Sequence, residues 1–589
     1  MTITTKQPVN MTEKAKKRTR TGCITCKIRR VKCDETKPSC NRCLAQKRIC
    51  DGYPPPSTSH RIPTRRALAA AVLTLSTPGP ASRILAGPTT ASDAACFDFF
   101  RARTAPMTAS LFPSEFWGTR LLQVAHGEPA VWHAAVALGA LHRRWELGFA
   151  PPSREWEDGD GMARFSEKAA GAYARSVAMG RDINDPVALL VLSLGLMAVT
   201  NIMGRWVDNR VHGAAGARLL GEIKRERAGC RRGGRLGSEI ESVAESFARM
   251  DLQNLTFSES QAPYPDVESV SNEDVVAEAD SLEDVLVPGE RFDSFSQAGF
   301  HLFALNRRFL LLAAIGEKMS LEEYTAFDEG VRYQLMLWEQ MTKNYLRQTR
   351  IAEKDTPGLL TLKLYHAFLC LFFRAGVTGP QTDWDTCLPH FERIVALAGV
   401  ILGRNRTSHA APAFVSLEPG VIIPLYLTAT RCRHPVLRRR ALELLRGANS
   451  QEGRWHSVGA AAVAERMMQI EEEGLRGIIP EESYLDMVAL DVSKDKGFHK
   501  CAERNLAEET EEYWLGGDEN WTTTHSWDGI VSIPEESRLV MTGITADTES
   551  GRIELDLVFS GGETVESQKT EEVVIVNWQA KWTIERSIL

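Results

Sequence analysis

Six cysteines fall within 28 residues: Cys23, Cys26, Cys33, Cys40, Cys43 and Cys50. They follow Cys-x2-Cys-x6-Cys, then six residues, then the same pattern shifted by 17. Clustered thiols form either a disulfide framework or a metal site, and the redox compartment decides between them. The chain opens with polar and basic residues, and its first apolar stretch begins near Ala67. No secretory h-region is therefore expected, which favours metal. A Cys-x2-Cys pair on a turn opening into a helix lets two thiolates grip one tetrahedral ion at about 2.3 Å. Two four-coordinate zinc ions need eight ligand positions, and six thiolates fill them if two sulfurs bridge. The repeat makes Cys23 and Cys40, the first cysteine of each half, the natural bridges. The remaining cysteines (Cys96, Cys230, Cys370, Cys387, Cys432, Cys501) are scattered.

The surrounding charge points to a polyanion. Residues 1–66 hold 17 Lys and Arg against 4 Asp and Glu, a balance of +13, whereas 67–589 carries −19 and the whole chain −6. A basic arm on an acidic body is the footprint of nucleic-acid binding. Six thiolates and two zinc ions together carry −2, so the metallated arm keeps about +11. Its affinity for DNA should fall steeply with salt. Four of the six residues between Cys26 and Cys33 are basic, namely Lys27, Arg29, Arg30 and Lys32, against Lys47 and Arg48 in the second half. The first half is thus expected to face the major groove. Zinc should also hold this module together, because so few apolar side chains cannot build a core.

The string GCITCKIRRVKCDETKPSCNRCLAQKRICDGY, Gly22 to Tyr53, resembles the fungal Zn(II)2Cys(6) binuclear zinc-cluster DNA-binding domain at all six ligand positions. The resemblance implies one zinc on Cys23, Cys26, Cys33 and Cys40 and the other on Cys23, Cys40, Cys43 and Cys50. Pro38 matches the family's loop proline. Family members place a basic pair on a CGG triplet, and Arg29 and Arg30 stand at the matching positions. An arginine fork suits guanine O6 and N7. A lysine is frequent at the second position, so Arg30 implies an altered flank preference. Lys27, Lys32 and Arg42 are expected on phosphates, which position without specifying. The family implies a nuclear, sequence-specific transcription regulator working with RNA polymerase II and co-regulators, pathway-specific by habit, for instance in secondary metabolism.

The elements that must carry this module are read from composition and periodicity. Residues 1–20 read as a disordered basic arm whose 13–20 run would aid nuclear import. Residues 21–53 are the cluster, and 54–93 a linker with a Pro-rich start. Residues 94–478 read as a helical regulatory domain and 479–589 as a β-rich C-terminal segment. The fold class is mostly α, with a small zinc cluster in front and a small β-rich part behind. One helix starts at Pro129, with Val131, Ala134, Ala135, Leu138 and Leu141 on its apolar face and His142, Arg143 and Arg144 in its last turn. Others fit Met162–Met179, Val187–Met203, Phe300–Ile315, Leu359–Phe373 and Pro435–Leu445. Polar interruptions are expected at Arg225–Gly237 and Asp266–Glu290. The latter carries nine acids interleaved with apolar residues and no Lys or Arg. That pattern is seen in activation segments and equally in solvated loops. Cys96–His142 resembles the start of the helical regulatory region of such factors. After Ile479, Ile553, Leu555, Leu557 and Phe559 alternate with Glu554, Asp556 and Val558. Gly561-Gly562, Val573–Trp578 and Trp582–Ile584 complete the pattern of a small antiparallel sheet.

Other functions find less support. His126-Gly127-Glu128 starts a zinc-deaminase signature, but no Pro-Cys-x-x-Cys follows. There is no His-Glu-x-x-His, P-loop or Gly-x-Ser-x-Gly, and His133 and His142 read as structural, so no enzyme is expected. The apolar run Pro186–Thr200 is short for a membrane span. A zinc-organised protein-interaction module would need eight unbridged ligands, and an enzyme body with a DNA-binding arm would need a convergent polar pocket. Dimerisation stays open: Ala67–Leu75 is apolar but lacks sustained heptads, and Pro78 and Pro80 interrupt it.

Overall fold

The helices begin where the sequence supplies caps. The Thr90 hydroxyl accepts the Asp93 N–H at 3.1 Å, and the Asp93 carboxylate accepts the Thr90 N–H at 3.3 Å. This reciprocal cap starts helix Ala91–Phe99. Asp185 caps helix Pro186–Ile202, whose Pro at the first position costs no hydrogen bond. Ser320 and Glu323 form a second capping box at the head of helix Leu321–Gln348. In the computed structural model the described residues are Asp34, Thr36, 40–45 and most of 90–585. The main interruptions are 150–159, 230–237, 257–285, 316–318, 350–355, 406–413, 493–525, 548–551, 561–567 and 576–583. The chain divides into two units, 1–82 and 83–589.

In the second unit the expected helices are present, and all but Pro186–Ile202, which is shifted by one residue, run longer than their apolar patterns. They run Pro129–Phe149, Asp160–Gly180, Pro186–Ile202, Phe295–Ile315, Thr356–Ala375 and Pro435–Ala448. His142, Arg143 and Arg144 therefore sit inside the first of these rather than in its last turn. That helix is buried on nearly every side, from Ala130 to His142. Gly139 makes this possible. A Cβ there would stand 2.0 Å from the Cys96 carbonyl oxygen, so only glycine lets Ala91–Phe99 lie against it.

Buried apolar side chains among the described residues gather in three clusters. One joins Phe100, Trp117, Leu138, Met197 and Phe247. A second joins Phe303, Trp338, Tyr365, Phe368, Phe391 and Leu442. Each fully buried side chain of this size contributes roughly 1.5–3 kcal/mol. Glu418 stitches elements from distant parts of the chain. Its carboxylate takes Arg249 Nε at 2.8 Å, Trp117 Nε1 at 2.8 Å and Ser246 Oγ at 2.9 Å. Helix Ile422–Arg431 has no cap of its own. The buried Glu452 carboxylate instead accepts the N–H groups of Gly420, Val421 and Ile422 at 2.9–3.0 Å. Burial raises that carboxyl to about 7, against the pull of the three donors.

The third cluster joins the C-terminal sheet to helix Ser457–Glu473. The sheet is antiparallel in the order β4 Leu539–Asp547, β5 Arg552–Phe559, β6 Gln568–Ile575 and β7 Ile584–Glu585; β1 to β3 lie earlier, at Phe414–Ser416, Ser450–Glu452 and Trp455–His456. Alternation put Ile553, Leu555 and Leu557 on one face, and they pack on Ala462, Val463, Met467 and Ile470. Glu471 fastens the join. It binds Arg433 at 2.9 Å, Arg438 at 2.8 Å and the Leu539 N–H at 2.8 Å. Burial alone would raise the Glu471 carboxyl, yet the two guanidinium groups hold it below its ordinary value. Arg538, fully buried, pairs with Asp385 at 2.6 Å and gives its other donors to Ile533 and Gln381 carbonyls.

One sequence expectation is corrected, and two elements are added to the expected pattern. Residues 225–229, expected as a break, continue helix Trp206–Gly229, since Arg, Glu and Ala are good helix formers. Within the expected β-rich segment, Glu481–Val488 is a helix that buries no residue. The small sheet β1–β3, with β1–β2 parallel and β2–β3 antiparallel, interrupts the helical region. Its strands are too short to show alternation. Most of Asp266–Glu290 lies outside the described residues, but Leu286 is buried, and its backbone bonds both ends of the Gln334 amide. Two stretches, Thr356–Ala375 and Gln381–Gly403, are long and apolar enough to cross a membrane by length and composition; each is two-thirds buried within the body.

Candidate metal centre and nucleic-acid interface

The described part of the cysteine module is the start of its second half. Cys40 precedes a short helix, Asn41–Ala45. The Cys43 N–H donates to the Cys40 carbonyl at 3.1 Å and to Cys40 Sγ at 3.3 Å. Both cysteine side chains are fully buried, and Asn41 and Arg42 between them are exposed. The Cys-x2-Cys spacing therefore turns two sulfurs inward and sends Arg42 outward.

The helix is capped from outside its own sequence neighbourhood. Asp34 accepts the Asn41 N–H at 3.0 Å and the Arg42 N–H at 3.2 Å. Thr36 Oγ1 donates to Asp34 Oδ2 at 2.5 Å and accepts the Asn41 N–H at 3.0 Å. The Thr36 hydroxyl, then the two backbone donors, hold the Asp34 carboxyl down at about 2. Asp34 follows Cys33 directly in sequence, so the residue that caps the helix of the second half is the neighbour of the first half's last cysteine. Neither Asp34 nor Thr36 is among the site residues expected from the sequence. The available signal was an acid placed directly beside a ligand cysteine in an otherwise basic arm.

These features suit zinc. A backbone N–H aimed at sulfur stabilises a thiolate, and paired buried sulfurs on one turn are the donor set a tetrahedral ion takes. Cys40 and Cys43 lie on one turn with both side chains buried, and Arg42 is at the surface beside them. Cys23, Cys26, Cys33 and Cys50 and the basic residues Lys27, Arg29, Arg30 and Lys32 lie outside the described residues. In the second unit, His133 and His142 are buried in helix Pro129–Phe149. His142 Nδ1 is 2.9 Å from Thr104 Oγ1, and burial lowers its pKa to about 4.

Residues 21–60 match the fungal Zn(2)-Cys(6) binuclear cluster domain, a domain that binds two zinc ions. An uncharacterized transcriptional regulatory protein of Schizosaccharomyces pombe is 52% identical over 61 residues, 9% of this chain and 11% of that one. The aspercryptin biosynthesis cluster-specific transcription regulator atnN of Emericella nidulans is 27% identical over 219 residues, 35% of each chain. The transcription regulator lscL of Purpureocillium lilacinum is 32% identical over 124 residues, 20% of this chain and 28% of that one. Each match thus spans about a third or less of the relative's length. No solved structure matches the chain.

Proposed function

Since the chain carries a fungal Zn(2)-Cys(6) binuclear cluster domain at residues 21–60, we propose that it is a nuclear, sequence-specific, DNA-binding transcription regulator. The two zinc ions set the backbone of the module, and the short basic segment between Cys26 and Cys33 enters the major groove. Arg29 and Arg30 read a CGG-type triplet, while Lys27, Lys32 and Arg42 hold phosphates. The acidic body does not itself bind DNA; it presents a regulatory surface to co-regulators. The six-cysteine repeat carries this reading, supported by the inward Cys40 and Cys43 sulfurs. The 219-residue likeness to a regulator described as biosynthesis cluster-specific supports a pathway-specific role.

Selection of bound sites from random duplex DNA by the full-length protein tests it. The expected result is an enriched CGG-type motif that disappears when zinc is chelated. Binding without sequence preference, or binding that survives chelation, would overturn the reading. The number and spacing of triplets in the selected sites also report whether the protein binds as a monomer or a dimer.

A further inference from the structure

Helix Thr356–Ala375 carries His366 and Cys370 one turn apart, so both side chains share one face. Helix Leu321–Gln348 brings Glu339 against that face. His366 Nε2 stands 2.8 Å from Glu339 Oε1 and 3.8 Å from Cys370 Sγ. One donor atom from each of the three residues lies within 4.8 Å of the other two. From this convergence we propose that Glu339, His366 and Cys370 form a further metal site, holding one zinc-class divalent ion in the helical body. It is separate in sequence from the six-cysteine module.

The donor set is selective. An imidazole nitrogen, a thiolate and a carboxylate oxygen suit zinc and its borderline neighbours, and do not suit magnesium or calcium, which take oxygen. Charge balances too: one thiolate and one carboxylate neutralise a divalent ion, so the occupied site adds no net charge to a half-buried position. The distances are close to what is required. Bonds of about 2.0–2.3 Å at tetrahedral angles put a nitrogen and a sulfur about 3.5 Å apart and a nitrogen and an oxygen about 3.3 Å apart. The sulfur must approach by a few tenths of an ångström and the carboxylate must withdraw by about half an ångström. Glu339, with its side chain 27% exposed, has room to do so.

The imidazole is held in place for the role. His366 is buried and stacks on Trp338, with ring centroids 5.7 Å apart and planes at 23°. Trp338 is itself fixed by its indole N–H, which donates to the Ala298 carbonyl at 2.8 Å. Cys370 is partly exposed, as is Glu339, so the ion has a path from solvent and a fourth position open to water. Three protein ligands and one open position form the arrangement of an exchangeable site rather than a closed structural one.

The test is zinc content at equilibrium. Full-length wild type, Cys370→Ala and Glu339→Gln are dialysed against micromolar buffered zinc, and zinc per chain is counted by mass spectrometry. Both substitutions fall on partly exposed side chains, so the fold survives them, which is checked by circular dichroism. Wild type is expected to hold one more ion than either variant: three against two where the six-cysteine module is loaded. The difference of one does not depend on that loading, so loss of the module's ions is distinguishable from loss of this one. Equal zinc in all three proteins overturns the proposal.

Discussion

The Arg42 backbone N–H donates to Asp34 Oδ1 at 3.2 Å, tying the residue after Cys33 to the helix that begins after Cys40. A carboxylate at that place accepts two donors of the first turn and fixes the direction of Cys43. Asp34→Ala should loosen the second half while leaving every thiol in place. The expected outcome is a loss of zinc affinity of about tenfold or more, as for other outer partners of metal ligands. Competition with a chromophoric chelator measures it, and unchanged zinc retention would show that the cap is dispensable.

Base-reading and phosphate-holding residues should separate by salt dependence. Arg29→Ala is expected to cost roughly 1–3 kcal/mol on the preferred site and to relax the preference there. Lys27→Ala should weaken binding to all sequences alike and reduce the salt slope by about one. Fluorescence anisotropy across a salt series with matched and mismatched duplexes distinguishes them. Identical behaviour of the two variants would contradict the assigned roles.

The metal module was legible because its chemistry lies in residue type and spacing. Six cysteines in a repeat need no tertiary information. Asp34 was not legible: its partners are seven and eight residues on, across the turn, and one acid beside a ligand reads as charge. The long helices were visible in their apolar period, and one start in Pro129; the Asp185 cap before Pro186 emerges only from the structure. Glu418 and Arg249 pair across 169 residues, a link no local pattern announces. The same holds for Glu339 opposite His366 and Cys370, where only the one-turn spacing of the last two is written in the sequence.

Glu471 should be the fastening of the C-terminal sheet. Glu471→Ala leaves Arg433 and Arg438 buried without their carboxylate and frees the Leu539 N–H. Breaking a buried pair in this way costs roughly 3–5 kcal/mol. The expected outcomes are a lower urea midpoint and faster proteolysis beyond Glu473 than within the preceding helices. A variant whose tail stays as resistant as wild type would show that the apolar face of β5 alone secures the sheet.

His142 gives the body a pH dependence of known sign. Burial lowers its pKa from 6.5 to about 4. Between these values the unfolded chain binds a proton that the folded chain does not, so stability falls as pH drops through that window. The loss from this group is at most about 1.4 kcal/mol per pH unit. The buried Glu452, raised to about 7, acts in the opposite direction, so the measurement must be a difference. Wild type minus His142→Gln, followed by urea unfolding from pH 7 to 4, should decline steadily below about 6.5. A flat difference would place the His142 proton elsewhere.

Two glycine substitutions should differ in sign. At Gly139 an added Cβ meets the Cys96 carbonyl oxygen at 2.0 Å, a backbone atom that cannot rotate away. Gly139→Ala must push helix Ala91–Phe99 off its neighbour and is expected to cost about 1–3 kcal/mol. Gly399, within helix Leu388–Asn405, has nothing within 4 Å of the same position. There, Gly399→Ala removes backbone freedom from the unfolded chain and should stabilise by about 0.5–1 kcal/mol. Thermal unfolding of the two variants beside wild type tests the packing directly. If Gly139→Ala were as stable as wild type, the close approach of the two helices would not be a feature of the folded protein.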